Sequence, residues 1–200
     1  EGSQAIRTLA EFAKVSVAVP KSKWMNWLPA IRLDRADTIL KPEDLGKDMS
    51  KMASKDEFVS ETQELMRNPI AGYQTIDAPR IQAAQGFIGG QRIRLKNARF
   101  NIDTKKAAVC ISSLTDDEIK NSKRLLISVS ARALPSDDPD VAYHSEPVVG
   151  TIQLQAPEGL SLYPLLPGGS RDDALPTDYK NKMYTITLTK DIQSHWLLLE

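Results

Sequence analysis

The chain has 200 residues, with 26 basic and 26 acidic side chains and a formal net charge of zero. That length suits one domain whose core needs no staples, and the single cysteine, Cys110, excludes an internal disulfide and a cysteine-based metal cluster. No run approaches the roughly 18 apolar residues of a membrane-spanning helix. Lys and Arg are interleaved with Asp and Glu, so neither a nucleic-acid nor a membrane partner is expected, although a neutral balance leaves room for a local patch.

The first elements read as helical or irregular. Ile6, Leu9, Ala10 and Ala13 keep the spacing of one helix face, and Ser3 is placed to cap it. Val15, Val17 and Val19 alternate as a short strand that Pro20 ends, and Pro42-Glu43-Asp44 resembles the start of a helix over about 43–53. Asn68-Pro69 reads as a turn. The expected organisation is an N-terminal helical or irregular segment over 1–66 and a β-rich region over 67–200. The opening Glu1-Gly2-Ser3, without a Met, is read as the edge of an excised fragment.

From Gly72 onward strands and turns follow one another. Ile93 and Leu95 alternate with polar residues, Lys96-Asn97 make a turn, and Phe100 and Ile102 resume. Val109 and Ile111 belong to the next strand, where Cys110 reads as a buried small hydrophobe. Leu125, Ile127, Val129, Ala131 and Ala133 form the clearest period-2 run, with one face buried. Val148, Ile152, Leu154, Leu160 and Leu162 follow, then Tyr184, Ile186 and Leu188, and Trp196–Leu199 close the pattern. Short strands at intervals of about 8–12 residues predict a mostly β protein: an antiparallel β-sandwich with a short helical N-terminal portion.

Few residues carry chemistry. His144 and His195 are the two histidines and stand in no ligand spacing. No Gly-x-Ser-x-Gly elbow is present, and the doublets Gly89-Gly90 and Gly168-Gly169 suit turns with positive φ. Asp137-Asp138-Pro139-Asp140 lacks the spacing of a calcium loop and reads as a solvated hairpin tip, with calcium binding the alternative, so no cofactor is the expectation. Thr115-Asp116-Asp117-Glu118 reads as a turn. Aromatic residues that could stack on sugar rings are Trp24 and Trp27, close together between Pro20 and Pro29, and the loop residues Tyr143, Tyr163 and Tyr179.

Three blocks occur in a familiar order. Ile76-Asp77-Ala78-Pro79-Arg80-Ile81-Gln82, continuing to Gly86-Phe87-Ile88-Gly89-Gly90, resembles a VDTPRTQ…G(F/W)xGG segment. Ser112-Ser113-Leu114, then Ser122-Lys123-Arg124-Leu125-Leu126-Ile127 and Ala131-Arg132-Ala133, resemble an SSLDG…SKRLL…RA block, and Glu146-Pro147-Val148-Val149-Gly150 resembles an EPVxG strand. Together these resemble the β-sandwich region that follows the catalytic barrel in large bacterial glycoside hydrolases of agarase or cellulase type. The likeness covers about 58–200 and departs at Ala78, Ile81 and Asp116-Asp117-Glu118.

The resemblance implies a non-catalytic accessory β-sandwich of a secreted or periplasmic polysaccharide-degrading enzyme. Its partners would be the parent's catalytic domain, on which it packs, and polysaccharide. In such enzymes the acid/base and nucleophile lie in the upstream barrel, so no catalytic residue is carried over. The alternative is an independent carbohydrate-binding module with an aromatic sugar platform.

Overall fold

The computed structural model describes residues 57–59, 63–68, 70–138 and 143–200. The chain divides into two compact units, Glu1–Gln74 and Thr75–Glu200. The expected helices over 3–13 and 43–53, the strand over 15–19, and Trp24 and Trp27 lie outside the described residues. Those residues are mostly β, with antiparallel pairing throughout the named ladders, no α-helix, and a single 3-10 turn at Ile119–Asn121.

In the first unit, β1 (Phe58–Val59) and β2 (Leu65–Asn68) pair antiparallel. The turn expected at Asn68 is present: its side-chain Oδ1 accepts from the Ala71 N–H at 2.8 Å and its carbonyl from Gly72 N–H at 2.9 Å. The strand β3 (Tyr73–Asp77) crosses the boundary between the units.

The second unit holds two sheets. One has the order β4 (Ile81–Gly86), β7 (Ala107–Ser113), β8 (Leu125–Ser130), β15 (Trp196–Leu199) and β12 (Leu162–Pro164). The other runs β13 (Asp178–Lys180), β14 (Met183–Leu188), β11 (Gly150–Gln155), β6 (Ala98–Ile102) and β5 (Arg92–Arg94). A small hairpin of β9 (Ala133–Pro135) and β10 (Tyr143–Ser145) stands apart.

Alternation decides which side chains are buried, because successive residues of a strand point to opposite faces. In the first sheet Val109 faces Val129, Ile111 faces Ile127, and Ile127 faces Leu197, all buried. In the second, Phe100, Ile152 and Ile186 form one buried row across three strands, flanked by the row Ala98, Leu154 and Tyr184. Each fully buried aliphatic or aromatic side chain contributes about 1.5–3 kcal/mol by leaving water. Tyr184 is buried only because its hydroxyl is used twice: it accepts from the Leu160 N–H at 2.8 Å and donates to the Pro157 carbonyl at 2.9 Å.

Two expectations shift. Cys110 is half-buried, since the core positions on either side are Val109 and Ile111 and the period of two turns Cys110 to the other face; its Sγ lies 3.6 Å from Ser112 Oγ. The run from Leu125 leaves the core after Val129: β8 ends at Ser130, Ala131 is half-buried, and Ala133 is exposed in the separate hairpin.

A polar cluster ties the two sheets. Gln82 sits on β4 with no exposed surface. Its Nε2 donates to Asp77 Oδ1 at 2.7 Å, and its Oε1 accepts from the Asn97 N–H at 3.1 Å in the β5–β6 turn. The Asp77 carboxylate also accepts from the Lys96 N–H, at 3.1 and 3.2 Å. The turn expected at Lys96-Asn97 is thus gripped by a side chain from the other sheet, and it closes with Leu95 N–H donating to the Ala98 carbonyl at 2.8 Å.

Gly150 lies between Ile102 and Leu188 with φ +144, and a Cβ there would fall 2.5 Å from the Asn101 carbonyl oxygen. Of the two doublets expected to serve positive φ, Gly168-Gly169 do so at φ +96 and +86 and Gly90 at φ +76, while Gly89 serves close approach: its Cβ would fall 2.5 Å from Lys105 Cα.

Gln82→Met keeps the volume but orphans the buried Asn97 N–H. We expect a loss of about 1–3 kcal/mol in urea unfolding, against less than about 0.5 kcal/mol for Gln85→Ala, an exposed position on the same strand. Gly150→Ala should cost about 1–3 kcal/mol from backbone strain, with a further loss from the clash, read as a lowered melting temperature.

Candidate functional site

The sheet β13-β14-β11-β6-β5 buries one face, so its other face is free to carry polar groups. On β5 the buried Ile93 forces its neighbours Arg92 and Arg94 to the opposite side, and on β6 the buried Ala98, Phe100 and Ile102 do the same for Arg99 and Asn101. On β11, Ile152 and Leu154 turn Thr151 and Gln153 that way. The register then brings these side chains together: Arg92 is opposite Asn101, Arg94 opposite Arg99, Arg99 opposite Gln153, and Asn101 opposite Thr151. They line a groove of about 380 Å³.

The groove is electrostatically one-sided. In the second unit Arg80, Arg124, Arg132 and Arg171 have carboxylate partners, at Asp116, Glu200, Glu146 and Glu200 respectively. Arg92, Arg94 and Arg99 have none among the described residues, and all three are exposed. A directly opposed like-charged pair such as Arg94 and Arg99 is mildly destabilising to a ladder. Five N–H donors per guanidinium, in a planar fork, suit carboxylate, sulfate or phosphate oxygens. The amides of Asn101 and Gln153 and the hydroxyl of Thr151 add both donors and acceptors.

The described aromatic candidates, Tyr143, Tyr163 and Tyr179, do not gather at this groove. Tyr163, on β12, is half-buried and carries the Arg171 guanidinium 5.2 Å from its ring centroid. Arg171 also pairs with Glu200, which Arg124 reaches from the other side at 2.9 Å. Tyr179, on β13, packs against Tyr184 with centroids 4.6 Å apart and rings tilted by 48°. Burial raises its phenol above the ordinary tyrosine range, and the nearby Glu158 and Tyr184 add to the shift. Tyr143 is exposed on the β9–β10 hairpin.

Among the described residues, neither histidine meets a carboxylate or hydroxyl partner. His144 is exposed on that hairpin. His195 Nδ1 lies 3.0 Å from the Val129 carbonyl, to which it donates when that nitrogen carries the proton. Asp137 and Asp138 are exposed before the stretch 139–142, and Asp138 N–H donates to Ser136 Oγ at 3.1 Å. The motif residues Arg80 and Ser113 belong to a loop network: Arg80 donates to the Thr115 carbonyl, and Thr115 Oγ1 is 3.1 Å from Ser122 Oγ. Comparison with protein-family models, with curated proteins and with solved structures gives no match.

The hairpin that carries Tyr143 is braced by Arg132, whose Nε donates to Glu146 Oε2 at 2.8 Å. That bond holds the Glu146 carboxyl below the ordinary glutamate range and lifts Arg132 further. A depressed folded-state pKa stabilises above the unfolded glutamate pKa, and the contribution is lost as pH falls through the folded value. A carboxyl-carbon NMR titration should place Glu146 below a free glutamate, and Arg132→Gln should return it to the ordinary range.

Proposed function

We propose that the second unit is a non-catalytic accessory β-sandwich of a secreted or periplasmic bacterial glycoside hydrolase, packing on the parent's catalytic domain and contacting polysaccharide. The sandwich reading draws support from two antiparallel sheets that each bury one face, and from Gln82 reaching from one sheet to the turn of the other. The observation that carries the functional reading is the groove over β5, β6 and β11. Its lining offers guanidinium, amide and hydroxyl groups on a rigid sheet, and none of its lining side chains is a carboxylate. Glycoside hydrolysis ordinarily uses two carboxyl groups flanking the scissile bond; this lining suits holding a chain of sugar hydroxyls, not cutting it. The order of the sequence blocks over about 58–200 points the same way.

A second reading, an independent carbohydrate-binding module with an aromatic platform, is favoured by the exposure of Tyr143. Trp24 and Trp27 would be its other candidates.

The chain should release no reducing ends from agar, xylan, β-glucan or mannan, yet be retarded in at least one polysaccharide-containing native gel. Turnover that a single Asp or Glu substitution abolishes would overturn the accessory reading. Lost retention in Tyr143→Ala, Trp24→Ala or Trp27→Ala at unchanged melting temperature, worth about 0.5–1.5 kcal/mol by the scale of aromatic contacts, would select the module reading instead.

A further inference from the structure

We propose that the groove formed by Arg92, Arg94 and Arg99 binds an acidic polysaccharide, one that carries sulfate or carboxylate groups along an extended chain. The inference rests on the reading of this domain as one that contacts polysaccharide, and it names the class of polysaccharide.

Three observations carry it. The first is concentration of one charge. Arg92 and Arg94 share a face of β5, about 7 Å apart by the strand repeat, and Arg99 stands directly across from Arg94. None of the three has a carboxylate partner among the described residues, whereas the other arginines of the unit do. The second is that the fold accepts an opposed Arg94–Arg99 pair with no compensating acid, an arrangement that an oxyanion lying between the two forks would relieve. The third is the rest of the surface. Asn101, Thr151 and Gln153 continue the groove from the arginines across β6 and β11, with donors and acceptors suited to sugar hydroxyls.

The same lining weighs against the other large polyanion. Single-stranded nucleic acid is gripped by aromatic side chains on which bases stack. The outward residues of β5, β6, β11 and β14 are arginine, asparagine, threonine, glutamine and methionine, and the aromatic residues Phe100 and Tyr184 point into the core. A neutral polysaccharide would leave three guanidinium groups with nothing to match.

The test is affinity electrophoresis of the 200-residue chain in gels containing dextran sulfate, polygalacturonate or neutral agarose, with fluorescence titration against single- and double-stranded DNA. We expect retardation by one or both acidic polymers, weakening as salt rises. Sulfate and carboxylate ligands are told apart by which polymer retards it. Arg94→Gln and Arg99→Gln should each weaken binding about tenfold or more, the loss of a charge-assisted contact, with melting temperatures unchanged or raised. Arg80→Gln, outside the groove, should bind as the parent does.

Equal retardation by agarose, unaffected by the arginine changes, would overturn this inference and leave the accessory reading standing. Tighter binding to DNA than to either acidic polymer, or binding to none of the polymers, would overturn the inference together with the polysaccharide reading. Melting temperatures lowered in both arginine variants would make the arginines structural and overturn it as well.

Discussion

One buried amide fixes how β4 meets the β5–β6 turn. Gln82 has no exposed surface and stands on the face of its sheet that carries Val109, Ile111 and Ile127, a place where an unmet polar group is costly. It is tolerated because both ends of the amide are used, one by the Asp77 carboxylate beside its own strand and one by the backbone of Asn97 in the other sheet. The geometry admits one alignment. A slip of β4 by one residue would turn Gln82 outward and leave the Asn97 N–H without its acceptor. The β5–β6 turn is therefore positioned by the core, and the arginines that flank it inherit that position.

The two faces of the β5–β6–β11 sheet divide their duties. The inner row of Phe100, Ile152 and Ile186 supplies burial and stiffness. The outer row is spaced by the same period and cannot be shifted without disturbing the inner one. The backbone of such a surface is already ordered, so on the proposed reading a ligand would have only the exposed side chains, the arginines above all, left to order. The opposed Arg94 and Arg99 act against the ladder they sit on; on the proposed reading, this is the kind of local violation expected where a surface serves binding.

The sequence made the β-rich character legible from Gly72 onward, because alternation at Leu125–Val129, Ile152–Leu154 and Tyr184–Leu188 directly encodes a buried face. It misled at Ala131 and Ala133, where small residues continue the period after the strand has left the core and alanine alone does not report burial. No alternation marks the short strand β13, so Tyr179 reads as a loop residue, although Asn181 and Lys182, both at positive φ, form a two-residue hairpin turn that pairs it with β14. The groove was hidden for a different reason. Arg92, Arg94 and Arg99 look interleaved along the chain, and only strand register places Arg94 against Arg99. A one-dimensional charge count is blind to that pairing. Composition alone offers Tyr163 and Tyr179 as sugar platforms, yet each has a ring contact already, one with a guanidinium and one with a neighbouring ring.

The placement of β15 has a consequence for how the molecule is made. Trp196–Leu199 slots between β8 and β12, so a strand from the last-synthesised part of the described chain occupies the interior of a sheet begun more than a hundred residues earlier. During vectorial synthesis β8 can pair with β7 on one side while its other edge waits, with Leu125 and Ile127 lacking their partners Leu199 and Leu197. An open apolar edge is a template for pairing with other chains. The nascent domain therefore has an interval of vulnerability that closes only when Trp196–Leu199 docks, and anything that delays this segment prolongs exposure to aggregation.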